Sequence, residues 1–154
     1  MPVPLLDLKQ QYQLYKEEVL SEITEIAEAQ YFINGPKVVK VEKELAAYTE
    51  SNFALGCSSG SDALIISLMA EEIGPGDEVI CPTFTFFATA GAIHRVGATT
   101  VFCDSEQDSF NMDVAKLEAI ITEKTKAIIV VHLYGQMADM DAIMAIALER
   151  GLKV

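Results

Sequence analysis

The 154-residue sequence has no tryptophan, only two histidines, and only 11 basic residues against 23 acidic ones, which gives a formal net charge of −12. Because nucleic acids and many membrane surfaces are themselves anionic, a chain this acidic is not expected to bind either as its main partner. No apolar run approaches the roughly 20 residues of a membrane-spanning helix. Residues 1–4 lack the basic flank and apolar stretch of a signal peptide. We therefore expect a cytoplasmic protein.

Cysteine is scarce, and the three that occur are far apart, at Cys57, Cys81 and Cys103. No CxxC or Cys/His spacing is present, which argues against a zinc site and against a disulfide framework. The alternating acidic residues of 104–108 resemble the start of a calcium loop, but the glycine that such a loop needs does not follow. We expect no metal site and three small, buried cysteines.

The apolar residues that make up 51% of the chain show two different periodicities. Up to residue 50 they recur at spacings of three and four, which predicts helices over 7–30 and 37–50. Beyond residue 50, short apolar runs alternate with amphipathic stretches and predict strands at 53–57, 78–81, 99–103 and 127–132, with another beginning at 152–154. The sequence thus predicts a helical segment, 1–50, followed over 51–154 by an α/β fold with a mostly parallel sheet flanked by helices.

The loop at 58–62, Ser-Ser-Gly-Ser-Asp, is the strongest candidate site because it follows a predicted strand and opens a predicted helix. The first N–H groups of a helix lack internal partners and attract anions, and Gly60 lets a ligand approach the backbone closely. We expect Ser61 or Asp62 to cap the helix. The pattern favours a phosphate-binding loop, although an ordinary capped helix start would look the same.

The same loop also matches G-x-S-x-G, the motif that holds the nucleophile of α/β-hydrolases. In this alternative Ser58 would be the nucleophile, and His132, at the end of a predicted strand, its base. Only helices precede the motif here, whereas the hydrolase motif follows several strands.

A second loop, 82–87, contains three aromatic residues at the end of a predicted strand: Phe84, Phe86 and Phe87. An aromatic ring in this position can stack on a planar ligand, whereas each of the three could equally fill the core. The residues alone do not distinguish among them.

Several motifs, in order and at matching spacing, resemble the DegT/DnrJ-type PLP-dependent sugar-nucleotide aminotransferases, which have the aspartate-aminotransferase fold. They are LDL at 6–8, FINGP at 32–36, Glu42 followed by LAAY at 45–48, SSGSDAL at 58–64, GPGDEVI at 74–80, PTFTFFATA at 82–90 and HLYGQ at 132–136. The resemblance implies that residues 51–154 form an incomplete N-terminal part of the large domain of a PLP fold-type I aminotransferase.

The resemblance also implies roles for individual residues. Gly60 and Ser61 match the pair that holds the phosphate of pyridoxal 5′-phosphate, and Phe86 matches the aromatic residue that stacks on the pyridine ring. The implied reaction moves an amino group from an amino-acid donor, commonly glutamate, to a nucleotide-linked keto-sugar in polysaccharide or natural-product biosynthesis. Members of the family usually form homodimers.

The family's Schiff-base lysine has no counterpart in these residues. Two of the 11 basic residues are arginines, and none of the remaining nine lysines matches its position. The lysine and the acidic partner of the pyridine nitrogen would both follow Val154, so we assign no catalytic residue. We expect the chain to be part of a longer aminotransferase; the alternative is a non-catalytic binding or regulatory protein on the same fold.

Overall fold

The structure is a computed structural model that describes residues 3–154. Met1 and Pro2, half of the segment compared above with a signal peptide, lie outside the described residues. The chain divides into two compact units, Met1–Gly56 and Cys57–Val154, which are described separately.

The first unit contains the helices α1 (Lys9–Ala29) and α2 (Pro36–Tyr48), close to the predicted bounds. Pro36 begins α2, where its missing N–H costs nothing. Lys37 ties the two helices together by ion pairs with Glu22 and Glu25, at 2.5 and 2.9 Å. No residue of α1 or α2 is fully buried in the described chain.

The predicted buried strand at 53–57 is wrong for this structure. These residues form no strand, and Phe53 and Leu55 are exposed. A strand requires a partner for its backbone hydrogen bonds, and none of the described strands pairs with this segment. Gly56 instead donates its N–H to the Glu42 carboxylate of α2 at 2.8 Å.

The second unit is built on a parallel sheet of β1 (Glu78–Pro82), β2 (Thr99–Cys103) and β3 (Thr125–Ile128) in the order β2-β1-β3. In the centre, Ile80 pairs with Val101 on one side and with Ile128 on the other. The predicted parallel sheet is confirmed, although β3 ends four residues before the predicted 132. Lys153 extends the pairing through a parallel bridge to Ala127, where the next strand was predicted to begin.

Helices cover both faces of this sheet, as the sequence predicts. They are α3 (Gly60–Ala70), α4 (Ala88–Arg95), α5 (Val114–Leu117) and α6 (Met140–Arg150), with short 3-10 turns at Glu118–Ile120 and Leu133–Gly135. Gly151 ends α6 in the left-handed conformation, φ 67°, which glycine adopts without steric cost. Within residues 3–154, no helix has the combined length and apolar character needed to cross a bilayer.

Alternate residues of β1 supply two cores, one on each face of the sheet. Val79 and Cys81 pack with α3 and α4, whereas Ile80 packs with α5 and α6. This two-sided burial explains why the strand shows no alternation of polar and apolar residues. Cys81 and Cys103 are buried as expected, and burial raises the pKa of the Cys81 thiol to about 11; Cys57 is exposed, contrary to expectation.

Two residues of α6 provide a matched test of this packing. Ile143 is 0% exposed and Leu148 is 84% exposed. Ile143→Ala should lower the free energy of unfolding by about 2–5 kcal/mol, because it leaves a cavity in the core. Leu148→Ala should change it by less than about 0.5 kcal/mol. Urea denaturation followed by circular dichroism measures both, and equal losses would contradict the described packing of α6.

Candidate functional site

The loop at 58–62 begins α3 through a serine cap that differs from the predicted one. Ser59, not Ser61 or Asp62, is the N-cap residue, and its hydroxyl accepts the Asp62 N–H at 3.1 Å. The Asp62 carboxylate in turn accepts hydrogen bonds from the hydroxyls of Ser58 and Ser59. The cap thus satisfies the third N–H group of the helix and fixes the shape of the loop.

The first two N–H groups of α3 have no partner in the described part of the chain. Neither Gly60 N–H nor Ser61 N–H donates a hydrogen bond there, and the Ser61 hydroxyl makes none. A Cβ atom placed on Gly60 would meet no other atom within 4 Å. Two free N–H groups, a hydroxyl and a side-chain-free approach at the positive end of an 11-residue helix are what an anionic phosphate requires. The residues present therefore fit a phosphate-bearing cofactor.

The carboxylate beside this loop is held in its charged form. Hydrogen bonds from Ser58 and Ser59 lower the pKa of Asp62, and the positive charge of Arg95 acts in the same direction. Because the Asp62 carboxylate accepts hydrogen bonds from these two hydroxyls, it does not bind the N–H groups of Gly60 and Ser61. Those two N–H groups stay available to a ligand.

The hydrolase alternative finds no support in this geometry. The Ser58 hydroxyl is engaged with Asp62, and Ser58 lacks the positive φ expected of a strained nucleophile turn. The Nδ1 atom of His132 accepts the Ala138 N–H at 3.2 Å. Among the described residues, no histidine forms a hydrogen bond with Ser58.

The structure separates the three aromatic residues that the sequence left equivalent. None is buried, so none fills the core. The ring of Phe84 packs on Phe110 with a centroid distance of 5.7 Å, and the ring of Phe87 lies against Gly91. Phe86 and Phe87 are almost equally exposed, at 78% and 79%, but Phe86 has no aromatic partner and no glycine contact of this kind within residues 3–154. Both rings are accessible to a ligand, and Phe86 is the one without a described contact.

Asn111 is a residue that the sequence analysis missed. It is only 4% exposed, and its side-chain amide binds the backbone of a loop more than 20 residues away. The Nδ2 atom donates to the carbonyls of Gln136 and Met137 at 3.2 and 3.3 Å, and the Oδ1 atom accepts the Leu133 N–H at 3.1 Å. No local pattern signals such a contact, because it depends on how two distant loops meet.

The candidate residues lie toward one edge of the second unit. The loops after β1, β2 and β3 all begin at the carboxyl edge of the sheet, where parallel α/β folds bind ligands. Because α3 leads through a turn into the amino end of β1, its own first residues face the carboxyl edge. Leu64 and Ala70 of α3, with His132, line a groove of about 620 Å³ that extends along the length of α3. No group of three potential metal ligands occurs in the described residues.

The same chain matches the DegT/DnrJ/EryC1/StrS aminotransferase family over residues 13–154. It belongs to this family. The DegT/DnrJ family depends on pyridoxal phosphate, and the similar solved structures are PLP fold-type I aminotransferases, which confirms the predicted fold class.

Individual relatives agree with this assignment. The chain is 54% identical to the pleiotropic regulatory protein of Geobacillus stearothermophilus, matching 100% of this chain and 41% of the relative. It is 48% identical to a UDP-N-acetyl-3-dehydro-alpha-D-glucosamine 3-aminotransferase of Acidithiobacillus ferrooxidans, over 99% of this chain and 41% of the enzyme. The crystal structure of NtdA from Bacillus subtilis with bound cofactor PMP matches with a TM-score of 0.94 and 37% identity, over 99% of this chain and 35% of NtdA. The chain thus spans about 41% of the length of these curated relatives.

The hydrogen bonds at Asp62 predict a pH-dependent contribution to stability. Because the pKa of Asp62 is lower in the folded state than the value of about 3.9 in an unfolded chain, its carboxylate stabilises the fold above that pH. The contribution is lost as the pH falls through the folded-state pKa. The melting-temperature difference between wild type and Asp62→Asn should therefore be constant at neutral pH and shrink below about pH 4.

Melting curves from about pH 7 to about pH 3 measure this difference. Ser59→Ala removes one donor to the carboxylate, so the same comparison made in that background should depend less on pH. A difference that stays constant throughout the range would show that the serine hydroxyls do not stabilise the Asp62 carboxylate.

Proposed function

We propose that the 154 residues are the N-terminal part of an enzyme that moves an amino group from an amino-acid donor, glutamate, to a nucleotide-linked keto-sugar. In this proposal 1–50 is a helical segment and 51–154 is the first part of the PLP-binding large domain. The observation that supports it most directly is the pair of unpartnered N–H groups at Gly60 and Ser61. The aminotransferase from Acidithiobacillus ferrooxidans supports the choice of substrate class.

We assign cofactor binding to three residues. The N–H groups of Gly60 and Ser61, with the Ser61 hydroxyl, would hold the phosphate of pyridoxal 5′-phosphate. The exposed ring of Phe86 would stack on the pyridine ring. When bound, the cofactor supplies an electron sink and a carrier for the amino group, while the protein supplies orientation and proton transfer.

No lysine of the chain is assigned as the catalytic base. Lys153 pairs with Glu71 at 2.9 Å, and Lys116 pairs with Asp104 at 2.8 Å. The hydrogen bond to Asp104 raises the pKa of Lys116, so this amine stays protonated and is not a nucleophile. Because the relatives are more than twice as long as this chain, we place the Schiff-base lysine, and the acidic partner of the pyridine nitrogen, in the remainder of the full-length protein.

We further propose a cytoplasmic homodimer active in polysaccharide or natural-product sugar biosynthesis. Three free cysteines are typical of a reducing compartment. The apolar side chains of Leu14, Leu20 and Ile23 on α1 are exposed in the described chain, and a partner subunit would cover them.

A regulatory protein on this fold is the second candidate. It is favoured by one observation, the 54% identity to a relative named a pleiotropic regulatory protein. The two candidates differ in whether the protein completes amino transfer.

The full-length protein, purified with pyridoxal phosphate, decides between them. The proposed enzyme should bind the cofactor with visible absorbance, and glutamate should convert that absorbance to the spectrum of the pyridoxamine form. Absence of cofactor binding would refute the proposed site. Binding without any response to amino-acid donors would favour the regulatory candidate.

Gly60→Ala tests the phosphate site without damaging the fold. The added methyl group meets no protein atom within 4 Å, and alanine favours a helix more than glycine does, so the melting temperature without cofactor should not fall. The methyl would instead crowd the phosphate, and such overpacking costs about 1–3 kcal/mol, equivalent to roughly 5- to 150-fold weaker cofactor binding. Fluorescence titration with pyridoxal phosphate measures the change.

Gly74→Ala is the matched control, because its methyl would make only an ordinary contact, 3.6 Å from the Val96 carbonyl oxygen. It should leave cofactor affinity unchanged. Equal affinities of Gly60→Ala and wild type would contradict the assignment of Gly60.

A further inference from the structure

Loop 132–138, which follows β3, is held in a single conformation by side chains. The buried amide of Asn111 makes three hydrogen bonds to its backbone, at residues 133, 136 and 137. His132 closes the loop by accepting the Ala138 N–H on Nδ1. Because that nitrogen is an acceptor, the neutral imidazole carries its proton on Nε2. These contacts tie the loop to Asn111 and close it on itself between residues 132 and 138.

Tyr134, at the centre of this loop, has an unfavourable backbone conformation and an unpacked side chain. Its φ and ψ are 55° and 23°, in the left-handed region that a bulky residue rarely adopts. Its side chain is nevertheless 88% exposed in the described chain. Strained residues of this kind persist only where the surroundings over-determine them, and they concentrate at ligand sites. Packing within residues 3–154 therefore does not account for a tyrosine here.

The first residue of the loop borders the groove that runs along α3. His132 lines this groove, together with Leu64 and Ser67 of α3. On its other side the loop is linked through Asn111 to Phe110, whose ring packs on Phe84 of the loop that bears Phe86. Loop 132–138 thus follows β3 at the same edge of the sheet as the loop that bears Phe86, and it is linked to that loop through Asn111 and Phe110.

We propose that loop 132–138 is a preformed part of the nucleotide-sugar binding site, in which the Tyr134 ring contacts the substrate and Asn111 is the positioning residue that sets the ring in place. This proposal rests on the function proposed above. A tyrosine ring presents an apolar face and a hydroxyl, which suits the C–H face and hydroxyls of a sugar or the face of a base. The Nε2–H of His132 adds a hydrogen-bond donor at the rim of the groove.

Tyr134→Asn in the full-length protein tests the contact directly. Asparagine tolerates the left-handed conformation, so the variant removes the ring without disturbing the loop. We expect roughly tenfold weaker binding of a nucleotide sugar, as for loss of an aromatic stacking partner. Cofactor affinity, the reaction with glutamate and the melting temperature should not change. Calorimetric titration with UDP-N-acetylglucosamine and with dTDP-glucose, neither of which has a keto group to react, measures the binding.

Asn111→Ala tests the positioning role. It should weaken nucleotide-sugar binding about as much as Tyr134→Asn, again roughly tenfold, and the double variant should be no weaker than either single variant, because Asn111 acts through Tyr134. A purely structural role would instead reduce cofactor binding and the glutamate reaction as much as nucleotide-sugar binding.

The proposal is overturned if Tyr134→Asn binds the nucleotide sugars as wild type does, if it lowers the melting temperature without changing binding, or if the effects of the two variants multiply. Binding of neither probe to wild type would overturn it together with the proposed substrate class. The glutamate reaction of wild type is a separate measurement, so failure of the loop proposal and failure of the proposed aminotransferase are distinguishable.

Discussion

The pairing of β1 with a parallel strand on each side is the constraint on which the second unit depends. Because all three strands run the same way, every loop that follows a strand begins at the same edge of the sheet. Because β1 is central, its alternate residues enter two cores and hold helices against both faces. The candidate site is a consequence of this arrangement: the loops after the strands meet at one edge, and the amino end of α3 is directed to that edge by the turn into β1.

Side-chain hydrogen bonds to backbone groups then give these loops their shape. Ser59 caps α3, and Asn111 and His132 fix loop 132–138. This construction also explains how a chain with a net charge of −12 can provide a site for an anion. Distant charges are screened over about 10 Å in salt solution, whereas the N–H groups of Gly60 and Ser61 act at contact distance. Net charge therefore argues against extended polyanions, but it does not oppose a single phosphate group.

The parts of the fold that depend on local pattern could be predicted from the sequence. The apolar runs located β1 and β2, and the glycine after residue 150 correctly ended α6. The segment 53–57 has the composition of a strand, but a strand also requires a neighbour, which composition does not reveal. Cap choice failed for a similar reason: the four residues of 58–62 whose side chains carry an oxygen can each serve as a cap, and only the path of the backbone selects Ser59. The role of Asn111 could not be predicted from the residues around it, because its hydrogen-bond partners are 22 to 26 residues away in the sequence.

The three hydrogen bonds between the Asn111 side chain and loop 132–138 should form or break together. Burying an amide destabilises the fold little when both of its N–H groups and its oxygen are hydrogen-bonded. Each group left without a partner lowers stability by about 1–3 kcal/mol, because it has lost its hydrogen bonds to water. That penalty is comparable to or larger than the roughly 1–2 kcal/mol by which a left-handed tyrosine is disfavoured. Relaxing Tyr134 to an ordinary conformation would move the backbone groups that Asn111 binds, so the strain cannot be released alone. The buried amide thus makes the strained loop the stable one and keeps the Tyr134 ring in a fixed position at the edge of the sheet.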